Sequence, residues 1–130
     1  MKINWMSVGI GFITTIILTV ILSYVGLSIL GPLIGGLIAA YMITGTYTDG
    51  AINGGLGACI AGFIYTLVVV LLGAPAISAA MVSDGYTSGD VGLIAIIGAI
   101  VSLVIFFILG AIGGIIGILI KGKSTPEATA

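Results

Sequence analysis

Polar residues divide the chain into four apolar segments, at residues 6–24, 31–45, 50–72 and 91–120. The first holds ten Val, Ile, Leu or Phe residues. At about 0.3 to 0.6 kcal/mol each, they favour insertion into a bilayer by about 3 to 6 kcal/mol. The fourth is the strongest, a 30-residue uncharged stretch. As one helix it would measure about 45 Å against a hydrocarbon core of about 30 Å. It is therefore expected to tilt, or to bend near Gly110, Gly113 and Gly114.

The second segment, GPLIGGLIAAYMITG, is different. Its apolar run from Pro32 to Ile43 amounts to only about 18 Å of helix. Leu33, Ile34, Leu37, Ile38 and Ile43 are its strong inserters, so its own insertion is marginal. Pro32 suits a first helical turn, where a missing N–H costs nothing. Two geometries compete: a short crossing helix and a re-entrant hairpin. Lysine placement favours the crossing. Lys2 precedes the first segment, and Lys121 with Lys123 follows the last. Positive residues stay cytoplasmic, so both ends lie inside and the number of crossings is even. Residues 24–30 and an external loop at 73–90 then fall outside, and residues 44–49 and a tail at 121–130 inside. Trp5, Tyr24, Tyr47 and Tyr86 fall at interfaces, where an amphipathic ring is favoured. Tyr41 and Tyr65 fall inside spans and need a partner for the hydroxyl.

Composition agrees. Of 130 residues, 60% are hydrophobic and 5% charged, whereas a soluble surface requires about 25% charged residues. The run from Trp5 to Tyr24 exceeds a signal-peptide core and ends without a small-residue cleavage site, so it is read as a retained span. The expected fold is all-α: one transmembrane domain, a compact bundle of four helices with a short second one.

A marginal helix stays in lipid by packing closely, and small residues permit close approach. Ser7, Gly11, Thr15, Thr19 and Ser23 recur every four residues in the first segment. Gly31, Gly35 and Ala39 do so in the second, with Gly36 and Ala40 beside them. The third carries Gly50, Gly54, Ala58, Gly62 and Thr66, and the fourth Gly110 and Gly114 with Gly113 and Gly117 alongside. The reading adopted is helix packing through Gly11, Gly35, Gly36, Gly50, Gly54, Ala58, Gly62, Gly110, Gly113, Gly114 and Gly117. The alternative is a wet seam with Ser7, Thr15, Thr19 and Ser23 on its wall. The run at 33–38 (LIGGLI) also resembles the run at 111–116 (AIGGII), as a degenerate duplication of two hairpins would.

Little chemistry is on offer. The chain has no histidine and no arginine, a single cysteine (Cys59) and net charge −1. That leaves no imidazole base or metal ligand, no guanidinium clamp, no internal disulfide and no basic patch for nucleic acid. Cys59, in an apolar setting, behaves as a small hydrophobe. Asp49 opens the third segment and is read as a helix cap, with an ion or substrate contact shared with Asn53 as the alternative. The stretch SDGYTSGD at 83–90 is made of turn residues and lacks the carboxylates of a calcium loop. No Asp, Glu, Lys or Arg lies inside any span, which argues against proton coupling. No catalytic, metal or cofactor site is expected. The expected partners are the lipid bilayer and either further copies or another membrane protein, with no nucleic acid and no small-molecule ligand.

Gly31-Pro32-Leu33-Ile34-Gly35-Gly36 followed by Asp49-Gly50-Ala51 resembles a family of small, glycine-rich archaeal membrane proteins, domain-of-unknown-function family 5518. The resemblance covers residues 5–120. It implies an archaeal cell membrane and four spans, and it carries no activity with it. The functional expectation is a non-enzymatic structural or accessory membrane subunit. The runner-up is an oligomeric passive channel or holin-like permeation protein.

Overall fold

The computed structural model describes residues 2–122. It consists of four helices: α1 (Trp5–Ser23), α2 (Leu30–Tyr41), α3 (Tyr47–Ser83) and α4 (Ser88–Lys121). No strand occurs among the described residues. The distal part of the expected tail, including Lys123, lies outside them.

Three of the four helix starts are written into short polar motifs. The Asn4 side chain accepts from the Met6 and Ser7 amides at 3.1 and 3.2 Å, satisfying two free donors at the head of α1. Helices α3 and α4 begin with the same pattern, Thr-x-x-Asp. Thr46 Oγ1 accepts from the Asp49 amide at 3.3 Å while the Asp49 carboxylate accepts from the Thr46 amide at 2.9 Å. Thr87 and Asp90 repeat the exchange at 3.2 and 3.0 Å. Each pair is a reciprocal capping box. Asp49 thus serves the cap from the third helical position, and Thr46 is the N-cap residue. Helix α2 has no side-chain cap. Its Pro32 falls in the first turn, where the amide it lacks would have had no intrahelical partner.

Adjacent helices run in opposite directions. Thr19 lies opposite Gly31 and Ser7 opposite Ala39, so α2 runs antiparallel along about 18 Å of α1. The second segment is a single short helix of 12 residues packed antiparallel to α1. Helices α2 and α3 each touch the other three, and α1 and α4 do not meet.

The largest departure from expectation is at residues 73–90. Helix α3 runs on through Gly73 and Pro75 to Ser83, and only residues 84–87 form the turn. Gly85 there has φ +95°, a conformation that a side chain would oppose. Gly-Ala-Pro at 73–75 looks like a break, yet Pro75 forfeits a single helix bond, that to the Leu71 carbonyl.

The result is a molecule of two parts. Helices α1 and α2, with the first half of α3 and the last half of α4, form a body about 28 Å long, the length of α1. Beyond it, residues 67–83 and 88–101 continue alone as a two-legged arm, about 25 Å longer than the body.

The interior of the body is built of small residues. Its buried apolar side chains are Val8, Ala39, Ala40, Ile43, Ala58, Ala61 and Ile118. Large aliphatic residues, such as Ile13, Ile17, Leu67, Leu72 and Ile100, point outward. This arrangement suits a lipid solvent, where burying leucine has no advantage and backbone approach does. Helices α1, α3 and α4 are each long and apolar enough to cross a bilayer. The chain is an all-helical membrane protein packed as a bundle.

Candidate functional site

The glycines of the body bring backbone against backbone. A Cβ at Gly50 would lie 2.5 Å from the Gly114 carbonyl oxygen, and one at Gly114 would strike the Gly50 carbonyl. Gly54 and Gly110 repeat this reciprocity one turn on, at 2.5 and 2.6 Å. On the other side of α4, Gly113 meets the Leu33 carbonyl, Gly117 the Leu37 carbonyl, and Gly36 the Gly110 carbonyl. The two GG motifs at 35–36 and 113–114 therefore lie on parallel helices that pack on each other. In each case a glycine α-hydrogen occupies the direction a side chain would take and points at a carbonyl oxygen. Such Cα–H···O contacts are worth about 0.5 to 1 kcal/mol each.

The α1–α2 seam uses a different pair. Gly11 faces Ala39 and the Gly35 carbonyl, and Thr15 and Thr19 set their hydroxyls against Gly35 and Gly31. Both threonines are essentially unexposed, and neither Oγ1 has a hydrogen-bond partner. Ser7 is also buried, and its hydroxyl donates to the Ala39 carbonyl at 2.5 Å. Ser23 is exposed at the end of α1 and donates to its own helix, to the Val20 carbonyl. Within one copy, then, the hydroxyls of Ser7, Thr15 and Thr19 face α2, and that of Ser23 does not. Gly62 lies under the Phe106 ring, and Ala58 sits against Gly110. Every residue named from the sequence as a packing position is buried.

Gly57 and Asn53 add a packing and a clamping residue to those of the stripes. A Cβ at Gly57 would lie 2.9 Å from the Val8 carbonyl, closing α1 on α3. Its spacing of three from Gly54 was the available signal. Asn53 is wholly buried and ties down the chain before α1. Its Oδ1 accepts from the Asn4 amide at 2.7 Å, and its Nδ2 donates to the carbonyls of Lys2 and Asp49 at 2.9 and 2.7 Å. The Lys2 amide donates to the Asp49 carboxylate at 3.0 Å. At the same end, Lys121 donates from Nζ to the Ile43 carbonyl at 3.0 Å and lies 5.8 Å from the Tyr41 ring centre. It neutralises the carbonyl end of α2.

The arm is built otherwise. Gly92 and Gly98 on α4 have nothing within 4 Å of where a Cβ would be. Between the legs lies a cleft of about 770 Å³, running from Tyr65 to Met81 on α3 and from Ser88 to Ser102 on α4. A smaller cavity of about 340 Å³ adjoins it where the arm leaves the body, and Tyr65, Gly98 and Ser102 border both. Thr66 and Ser102 join the legs there through a 3.4 Å contact between hydroxyls.

Among the described residues, no group of His, Cys, Asp and Glu is placed to hold a metal ion. Cys59 is half-buried in α3, and the Asp90 carboxylate is engaged by Thr87. No curated protein and no solved structure matches the chain. A family model described as a family of unknown function, DUF5518, matches residues 5–120, and on that extent the chain belongs to this family.

Proposed function

We propose that the protein is a non-enzymatic structural or accessory subunit of the cell membrane, with both termini cytoplasmic, that associates with further copies or with another membrane protein. The observation that carries this reading is the commitment of the body's polar groups, the buried Thr15 and Thr19 hydroxyls apart. Ser7, Asn53 and Lys121 each spend their donors on backbone carbonyls, and Asp49 spends its carboxylate on a helix cap. A catalytic group must be free to meet a substrate. The glycine faces are also spent within the chain, so the surface left for association is the large-residue exterior of α1 and of the arm.

The test is reconstitution. Full-length protein in lipid nanodiscs is expected to run as a defined oligomer or to carry a stoichiometric partner from its native membrane. In proteoliposomes it is expected to give no more ion or solute flux than empty vesicles. Flux from folded protein that Thr19→Val abolishes would replace this reading with the channel. A solitary, partnerless monomer would remove the association on which it depends.

A further inference from the structure

The far end of α1 is level with the middle of α3 and α4. Ser28 and Ile29, in the α1–α2 turn, border one cavity with Tyr65 on α3 and Ser102 on α4. Tyr65 stands about 24 Å of helix from Asp49 and about 27 Å from Ser83. Ser102 stands about 28 Å from Lys121 and about 18 Å from Asp90. Lys2, Asp49 and Lys121 mark one polar end of the molecule, and Asp84 and Asp90 the other. They are all the charged residues among the described ones. Tilting the bundle shortens both distances alike, so the turn lies about midway between the polar ends at any tilt.

Were the α1–α2 turn at the far membrane face, the arm would stand in water. Its legs, residues 67–83 and 91–101, carry fifteen Val, Ile or Leu residues, among them Leu72 at 80% and Ile96 at 64% exposed. Each favours hydrocarbon. With the polar turn at 84–87 placed at that face instead, the arm lies in lipid and the α1–α2 turn lies at depth. The exposed side chains of that turn include Val25, Leu27 and Ile29, with Tyr24 as the polar exception. Fifteen aliphatic side chains outweigh one hydroxyl. The lengths also fit. A tilt of about 40° brings the roughly 46 Å from Asp90 to Lys121 down to about 35 Å, close to a core of about 30 Å.

The backbone of the turn is made for depth. Gly26, at φ +74°, closes α1. Its amide donates to the Ser23 carbonyl at 3.2 Å, and that of Leu27 to the Leu22 carbonyl at 2.9 Å, a Schellman motif. The Leu30 and Gly31 amides donate to the Leu27 and Ser28 carbonyls at 3.0 Å each, and Pro32 has no amide to satisfy. The Ser28 and Ile29 amides have no backbone acceptor among the described residues. They border the shared cavity, and non-helical backbone is tolerated at depth in such a place. The turn at the far polar end is closed instead by Thr87 and the Asp90 carboxylate, which belongs beside water.

We propose that α1 and α2 form a hairpin that enters the bilayer from the face holding both termini and turns within the hydrocarbon, so that α3 and α4 alone cross. The partner of the α1–α2 turn is the lipid chain interior. A helix of about 18 Å, too short to cross, is long enough to reach that turn. Two crossings keep both lysine-bearing ends on one side as well as four do. This holds whichever face the termini occupy, and its failure leaves the accessory role untouched.

The test uses full-length protein in liposomes whose phospholipids carry bromine either just below the headgroup or near the chain end, and reads the quenching of tryptophan fluorescence. Trp5, the one native tryptophan, reports the inner polar end. Tyr86→Trp in a Trp5→Phe chain reports the far one. Both are expected to be quenched at least twofold more by the shallow bromine. Leu27→Trp in the Trp5→Phe chain is expected to reverse that ratio, with at least twofold more quenching by the deep bromine. If Leu27→Trp loses its helical signal, Val25→Trp, at a position 66% exposed, takes its place. A turn tryptophan quenched most by the shallow bromine would make α1 and α2 a crossing pair and overturn the proposal. One that neither bromine quenches would mean that protein covers the turn, and would overturn it too.

Discussion

Body and arm are made from the same two helices, α3 and α4, and from the same kinds of residue. In the body, Gly50, Gly54, Gly110 and Gly114 meet across the antiparallel pair so closely that no Cβ could be added. In the arm, Gly92 and Gly98 face open space and the legs enclose a cleft. The difference lies in mutual placement and in neighbours. Body glycines on α3 and α4 sit opposite one another at matched depth, and α2 adds a third backbone against Gly110, Gly113 and Gly117. The arm has small residues on α4 opposite Val69, Val70 and Ile77 on α3, and no third helix. Small residues allow close packing, but only a facing small residue or a neighbouring helix brings it about.

That comparison can be broken by one substitution made in both parts. Gly113→Ala drives a methyl into the Leu33 carbonyl and is expected to cost about 3 kcal/mol or more in reversible unfolding from mixed micelles. Gly92→Ala meets nothing and is expected to be neutral or to stabilise by up to about 1 kcal/mol, from the higher helix propensity of alanine. Equal effects at the two sites would end the distinction.

Polar contacts sharpen it. Asn53→Leu leaves the Asn4 amide and the Lys2 carbonyl without their partner and is expected to cost about 2 to 3 kcal/mol. Amide exchange at Asn4 should accelerate with it, and unchanged exchange would show that Asn53 does not hold the N-terminal segment. Ser7→Ala loses one bond to the Ala39 carbonyl, worth about 1 kcal/mol. Smallest of all, Thr66→Val at the root of the arm removes only the long contact to Ser102 and should change stability by less than about 0.5 kcal/mol.

Much of this architecture is legible in the residues. The spacing of four in Gly50, Gly54 and Ala58 marks a face, and lipid as solvent dictates that the face turns inward. What a face turns toward is not encoded in spacing. The α1 stripe of Ser7, Thr15 and Thr19 could equally have bordered water, and only the position of Gly31 and Gly35 opposite it decides. The helical arm was hidden for a local reason. Gly73 and Pro75 together look like a terminator, yet the apolar residues on either side favour continued helix in lipid, where an unpaired backbone costs more than one missing bond. The capping boxes are written plainly, as Thr-x-x-Asp at 46–49 and 87–90, where each Asp is legible as a cap only together with the threonine three residues before it. Asn53 offers no such pattern, because two of its three partners are backbone atoms some fifty residues away.

The packing of α2 against α4 also bears on how the protein is made. The glycines that hold the inner face of helix α2, Gly110, Gly113 and Gly117, are translated after the whole of α3. While the ribosome is still synthesising α3, the short helix has only α1 beside it, and its Leu33 and Leu37 carbonyls have no α4 glycines against them. Its packing is complete only when the C-terminal turns of α4 arrive, so the α1–α2 hairpin depends on a helix made after it.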